Sequence, residues 1–448
     1  MGLLPLTYRR PQLVDKEKFR KSVSSDNSSE NGHPSFDSEE SGASAGVPEA
    51  LTFDKIITGG TCPPMTIRDF MNYLIYIEHS AENLQFFLWY RDYVKRFEEA
   101  HTSDKPLAPE WTQAMAEETL ARIKKDAAEK RKTDPLAVEL FKGTDFEGNG
   151  GEKIHDSRGP FDTPPRTPGS DDQSTIYSSS QAPTHHSQAH DTFAAVGAKQ
   201  PFTIQPFRAE IERVIATYLA ADAPRQLNLS NHEHKVTMHA LAYTTHPSAL
   251  QQIAKTAENT LRKQAHPNFV RWSIGNGNPA RDFFARGLGV GIILLATLGA
   301  IILTLSRAGR GYRALFAIGW VLGIATLIAA YKGMCVVLHG MHHRHIRPWE
   351  LFAGDDDERA GTGDSSSSLA KRSSDTLGSS NSYEDEPWVV RYERRNVVRK
   401  VFDREVWIQE PALRHIQDTI FVQAMGSAIV LSAILTAIFV AVPGGHFF

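Results

Sequence analysis

Cysteine is almost absent: the 448 residues hold two, Cys62 and Cys335, far apart and the second beside an apolar run. Neither a disulfide framework nor a cysteine-ligated zinc site can be built from them, and a cytosol-facing soluble region is the simplest inference. A secretory signal is also missing, because the apolar stretch within Met1–Arg10 is short and Pro5 interrupts it. Gly2 stands where N-myristoylation occurs, but Leu6 occupies the position that wants Ser or Thr. The chain carries no GxxxxGKS/T phosphate loop, no HExxH, no GxSxG and no kinase motif set, so it shows no intrinsic catalytic site. Charge of one sign is not in excess, the formal net value being -3. Basic residues are not interleaved with aromatics in any soluble stretch, which argues against nucleic acid as a partner.

Long hydrophobic runs are present, although the mean hydropathy of -0.33 is that of a soluble protein. Residues 286–305, 314–338 and 420–442 form three candidate transmembrane helices. Each is close to the ~20 residues that cross ~30 Å of hydrocarbon, and such runs rarely coexist in a soluble core. Only Ser306–Arg313 separates the first two, which demands a helical hairpin. Lys and Arg concentrate before the first span (Arg271, Arg281, Arg286) and in 339–419, whereas 443–448 has none. That bias places the N-terminal region and the 339–419 segment in the cytosol and the tail outside. Arg307, Arg310 and Arg313 run against it, crowding the short outer loop. The spans hold no interior acidic residue that would mark an ion path. Gly287/Gly291 and Gly319/Gly323 form GxxxG pairs suited to close helix approach. His339, His342, His343 and His345, lying among Arg344 and Arg347 past the second span, fit an anionic headgroup interface better than a metal site.

The region before the spans reads as helical. Residues 1–50 are expected to be largely disordered, as are an insertion at 143–199 and the stretch 354–386, all poor in apolar residues. Thr163-Pro164 and Thr167-Pro168 within the insertion have the form of proline-directed phosphorylation sites. Thr66 with Asp69 predicts a capped helix start, and Ser80 caps a helix over Ala81–Glu98 rich in large apolar groups. Pro109 predicts another helix start, and a short helix is expected at Leu136–Phe141. Ile211, Val214, Ile215, Tyr218 and Leu219 recur at helical spacing, as do Leu250, Ile253, Ala257 and Leu261. Trp388–Arg414 mixes basic and apolar residues and is expected to be ordered, either on the membrane surface or packed on the bundle.

Three segments carry a more specific pattern. Ser80-Ala-Glu82-Asn83-Leu-Gln-Phe-Phe-Leu88 resembles the signature of RGS domains, the regulators of G-protein signalling, in which a helix opens with Glu-Asn before an aromatic pair. Leu227-Asn228-Leu229-Ser230 is similar to the family's second hallmark, and His266-Pro-Asn268-Phe-Val-Arg271 to its last helix. The resemblance spans 51–275, divided by the insertion, and RGS domains followed by three spans occur in a fungal group of membrane-bound regulators and cell-pole landmarks. It implies an all-α fold class: an RGS-like helical bundle followed by a three-helix transmembrane region. It further implies a heterotrimeric G-protein α subunit (Gα) as partner, with Glu82, Asn83, Asn228, Gln264 and Asn268 at the Gα-binding face. Such domains accelerate GTP hydrolysis by restraining the Gα switches, since Gα supplies its own arginine in cis. Asn228 would hydrogen-bond near the water-orienting glutamine, a role suited to an amide that donates and accepts. No cofactor is implied. The expected location is the plasma membrane, with the lipid bilayer as a second partner and another membrane polarity protein as a third.

The residues themselves leave alternatives open. Glu82 and Asn83 also suit the positive end of a helix, and Asn228 and Ser230 also suit a turn and a cap. Gln264 and Asn268 stand where active members carry Asp and Arg, and Phe87 replaces a common Trp. Glu82, Asn83 and Asn228 favour a regulator that accelerates GTP hydrolysis, whereas Gln264 and Asn268 favour a non-catalytic scaffold or landmark for cell polarity.

Overall fold

A computed structural model describes residues 11–19, 47–100, 104–133, 184–199, 201, 204–275, 279–334, 342–351, 389, 392–401 and 404–444. The expected helix at 136–141, the phosphorylation sites, His339 and the stretch 354–386 lie outside these. The fold is mostly helical. Among the described residues, 16–19 are helical, and nine further α-helices precede the spans: α1 Phe53–Ile57, α2 Ile67–Tyr73, α3 Ala81–Glu99, α4 Gln113–Thr133, α5 His185–Val196, α6 Arg208–Val214, α7 Asn231–Tyr243, α8 Gln251–Thr260 and α9 His266–Ile274. Then come α10 Pro279–Leu305, α11 Phe316–Tyr331, α12 Val397–Val401 and α13 Pro411–Ala441, with short strands β1 His343–His345 and β2 Glu405–Trp407. The α2, α6 and α8 helices each continue into a wider π turn, at Leu74–Glu78, Ile215–Leu219 and Leu261–Ala265.

The chain divides into two compact units. One comprises Gln85–Ala257 and Lys371–Ser380. Its core gathers Phe86, Tyr93, Phe193, Ile211, Tyr218, Met238, Leu241, Leu250 and Ile253. Helix α5 corrects the expectation that the insertion extends to residue 199: Thr184 caps it, and Ala189 and Phe193, one turn apart, are buried. Its polar His, Ser and Gln residues hide a two-residue apolar stripe. Helix α4 starts later than Pro109 suggests, because the Trp111 N–H donates to Ser248 Oγ at 2.7 Å and keeps the chain extended.

The other unit comprises Met1–Leu84, Glu258–Ala370 and Asn381–Phe448. Thr66 and Asp69 form the expected capping box of α2. Phe70 packs between Phe53 and Phe269, with ring centroids 6.4 and 5.0 Å away. Asp69 also receives Arg347 Nη1 at 2.8 Å, in an ion pair almost closed to solvent. The guanidinium lies over Trp272 at 4.6 Å, and burial pulls it down to about 10 against the attraction of Asp69. Arg344 pairs with Glu350, and His345 contacts Arg281. Arg344, His345 and Arg347 are therefore buried protein contacts and not a headgroup surface. Strands β1 and β2 pair antiparallel, His343 opposite Trp407 and His345 opposite Glu405. Part of the expected ordered stretch 388–414 thus packs on protein, while Trp407 stays half exposed with Arg414 over its ring.

Three helices, Ala280–Leu305, Arg310–Tyr331 and Pro411–Ala441, are long and apolar enough to cross a membrane. They make the chain a membrane protein in composition, with Leu294, Leu295, Ile318 and Ile429 turned outward. The close approach of α10 and α11 uses Gly289, whose built Cβ would lie 3.1 Å from Gly323 O. Gly287 and Gly291 face open space, so the first GxxxG is out of register with the contact, whereas Gly319 and Gly323 both lie in it. Trp320 is fully buried, its Nε1 donating to Thr297 at 3.1 Å and its ring stacked on Phe439. Arg313 is fully buried too, donating to the carbonyls of Phe439 and Val442 at 2.9 and 2.6 Å. One of the three arginines that oppose the orientation bias thus closes the end of α13.

Two outcomes follow. Gly323→Ala would set a methyl 2.7 Å from Ile293 Cγ1, whereas Gly291→Ala meets nothing within 4 Å. The first should cost about 1–3 kcal/mol in detergent thermal unfolding and the second almost nothing. Arg347→Ala leaves Asp69 buried without its cation and should cost ~3–5 kcal/mol by the same measurement.

Candidate functional site

The expected site residues divide between the two units. Glu82, Asn83, Gln264 and Asn268 belong to the unit that holds the spans, and Asn228 to the other.

In the first group, α2 ends through its π turn at Glu78, and His79 turns the chain in left-handed geometry, φ 51°. Helix α3 then begins, placing Glu82 in its first turn, where a carboxylate complements the free N–H groups. Both Glu82 and Asn83 are half-buried, and Asn83 Nδ2 lies 3.5 Å from Glu82 Oε1. The π turn at the end of α8 delivers Gln264, which donates to Glu78 Oε1 at 3.0 Å. Single π turns recur at functional sites because they re-aim side chains that a regular helix would stack. Burial pushes the Glu78 carboxyl up, opposed by Lys16 and by bonds from Tyr73, Asn268 and Gln264. Burial likewise pushes Glu82 up, opposed by its own backbone N–H and by Lys16.

Gln264 and Asn268 are not surface groups here. They are 4% and 5% exposed. Besides its bond to Glu78, Asn268 pairs its amide with one backbone residue: its Oδ1 accepts the Val14 N–H and its Nδ2 donates to the Val14 carbonyl, both at 2.9 Å. Arg271 Nη1 donates to Pro11 O at 2.8 Å, and Lys16 Nζ to the Glu78 carbonyl. Residues 11–19, which fall in the stretch expected to be largely disordered, therefore lie across this cluster. Sequence reading missed Glu78, Val14 and Lys16. Glu78 offered a signal in its place four residues before Glu82, but nothing local marks Val14.

Asn228 is exposed. Its neighbours hold it out: Leu227 is buried with its N–H donating to Tyr218 O at 3.0 Å, and Leu229 is half-buried. Ser230 then closes a capping box with Glu233 at the start of α7. The loop presents one amide from a backbone fixed on both sides. Among the described residues no group of three or more His, Cys, Asp or Glu could hold a metal ion.

The arrangement offers hydrogen-bonding and charged groups for recognition. No protein-family profile matches the chain, and comparison with characterised proteins and with solved structures returns no significant match.

Beside this cluster, His266 is buried against the Leu51 carbonyl, Nε2 to O 2.8 Å, and Phe53. Burial pushes its imidazole down to about 4. The neutral ring contributes stability above the free value near 6.5, and that contribution is lost as pH falls toward 4. Thermal unfolding should weaken across that window by at most ~1.4 kcal/mol per pH unit. In His266→Gln, whose amide can still donate to Leu51, this part of the acid sensitivity should vanish.

Proposed function

We propose that the chain is a membrane-anchored regulator of heterotrimeric G-protein signalling that binds active Gα and accelerates its GTP hydrolysis. The observation that carries this reading is Asn228: an exposed amide on a backbone held by buried Leu227 and capping Ser230. A group that must restrain a nucleotide switch needs this rigidity, since a mobile amide would lose the advantage of pre-organisation. Glu82 and Asn83, half-exposed at the start of α3, supply further polar groups. The order of the Glu82-Asn83, Asn228 and His266–Arg271 segments also supports it. In this reading 1–275 and 339–419 are cytosolic, the membrane is the plasma membrane, and the spans confine the domain beside lipidated Gα. Confinement raises effective concentration, so weak docking suffices.

A second reading has a specific observation behind it. Gln264 and Asn268 are uncharged where activating members carry Asp and Arg, and both are buried. They favour a non-catalytic membrane landmark for polarity or growth-site selection, acting with another membrane polarity protein.

Single-turnover GTP hydrolysis by candidate Gα subunits decides between them. The full chain in lipid nanodiscs should accelerate it, and Asn228→Ala should remove most of the acceleration without changing thermal stability. A flat response to folded protein from every Gα tested refutes the activator and leaves the landmark.

A further inference from the structure

The segment over the acid–amide cluster has the character of a ligand. Asn268 reads both backbone groups of Val14, as a neighbouring β-strand would, from a side chain that is itself 5% exposed. Arg271 holds the Pro11 carbonyl three residues before, and the Lys16 ammonium takes the Glu78 carbonyl two residues after, close to two carboxyl groups. The segment carries its own helix cap, Asp15 Oδ1 accepting from Glu17 and Lys18 at 2.9 and 3.1 Å. Its apolar groups are only partly hidden. Pro11 is buried and Val14 and Phe19 are half-buried, while Leu13 is 68% exposed and Gln12, Asp15, Lys16, Glu17 and Lys18 are exposed. Polar contacts with partial apolar burial give register without the attachment of a core element, the profile of a contact made to be released.

We propose that residues 11–19 are a built-in peptide ligand of the Glu78–Gln264–Asn268 site, and that the seated peptide masks this part of the Gα-binding face until it is released. The masking step rests on the Gα reading; the peptide site does not. It also gives Asn268 a place in docking: a removable segment holds its amide, and release frees that amide and the Glu78 carbonyl within the cluster that Gln264 joins. The site would accept an extended peptide with a free backbone N–H at the clamped residue and a cation two residues later.

The test uses the full chain in lipid nanodiscs and a fluorescent synthetic peptide of residues 11–19. Val14→Pro removes the clamped N–H and Lys16→Glu reverses the charge, both within the segment and outside the helices of the bundle beneath it. In the chain carrying both, the site is vacated in cis. The labelled wild-type peptide should then bind about tenfold more tightly than to the wild-type chain, whose site is already filled. A labelled peptide carrying Val14→Pro should bind neither. Gα held in its transition-state form should dock about tenfold more tightly to the double variant, and excess wild-type peptide should reverse that gain. Equal peptide binding by both chains, or none by either, overturns the site. Unchanged Gα docking with peptide binding intact overturns the masking. Failure of every chain to bind any Gα overturns the activator reading and the masking with it, while the peptide arm still decides the site.

Discussion

The two carboxylate oxygens of Asp69 hold opposite ends of the chain together. Oδ2 accepts from the Thr66 backbone and hydroxyl at 3.1 and 2.6 Å, starting α2, and Oδ1 takes Arg347 from the segment after the second span. Arg347 in turn reaches the Pro64 carbonyl at 3.1 Å and covers Trp272 on α9. A buried ion pair adds little net stability, since desolvation offsets most of its attraction. Its consequence is geometric: only one placement of the 342–351 segment satisfies both charges. Glu410 repeats the device, accepting the Cys62 N–H at 2.7 Å through one oxygen and capping α13 through the other. The terminal helices and the spans thus form one unit, and α9, which carries Asn268, is fixed within it.

Local chemistry was legible and tertiary chemistry was not. The Thr66–Asp69 and Ser230–Glu233 boxes depend on residues three apart; the first was read from spacing alone, and of the second only the Ser230 cap was read. The three spans were legible because twenty apolar residues in a row have few other uses. Which glycine meets which helix was not: Gly287, Gly289 and Gly291 look alike in sequence, and only the rotation of α10 chooses Gly289. Arg313 reads as a charge in a short loop until the carbonyls of α13 stand beside it. Arg344, His345 and Arg347 read as a headgroup surface for the same reason, since their partners Glu350, Arg281 and Asp69 include residues far along the chain.

The candidate site divides along the same line. Asn228 is singled out by the family resemblance, and its exposure is in keeping with its neighbours, an apolar residue on each side and the Ser230 cap two residues on. Gln264 and Asn268 are placed at a docking face by the family resemblance; Gln264 lies within the π turn at the end of α8 and Asn268 follows it. What spacing could not supply was the cover, a contact 254 residues away in the chain. A segment of nine residues, four of them charged, is too short to show a period, and its order comes from the amide and the arginine that receive it.

A ligand on the same chain meets its site at an effective concentration that no free peptide reaches, so a tethered segment needs only weak intrinsic affinity to stay seated. A strongly held one could not be displaced by a partner at all. The exposure of Leu13 and of the charged residues around it keeps this contact weak. The spans then set the balance from the other side. In the proposed reading they would hold the domain on the surface where a lipidated Gα resides, raise the concentration of that competitor as well, and let two tethered species contest one site. In such an arrangement small changes decide occupancy: a charge added near Lys16, or a partner that draws residues 11–19 away, shifts the population without any rearrangement of the helices beneath.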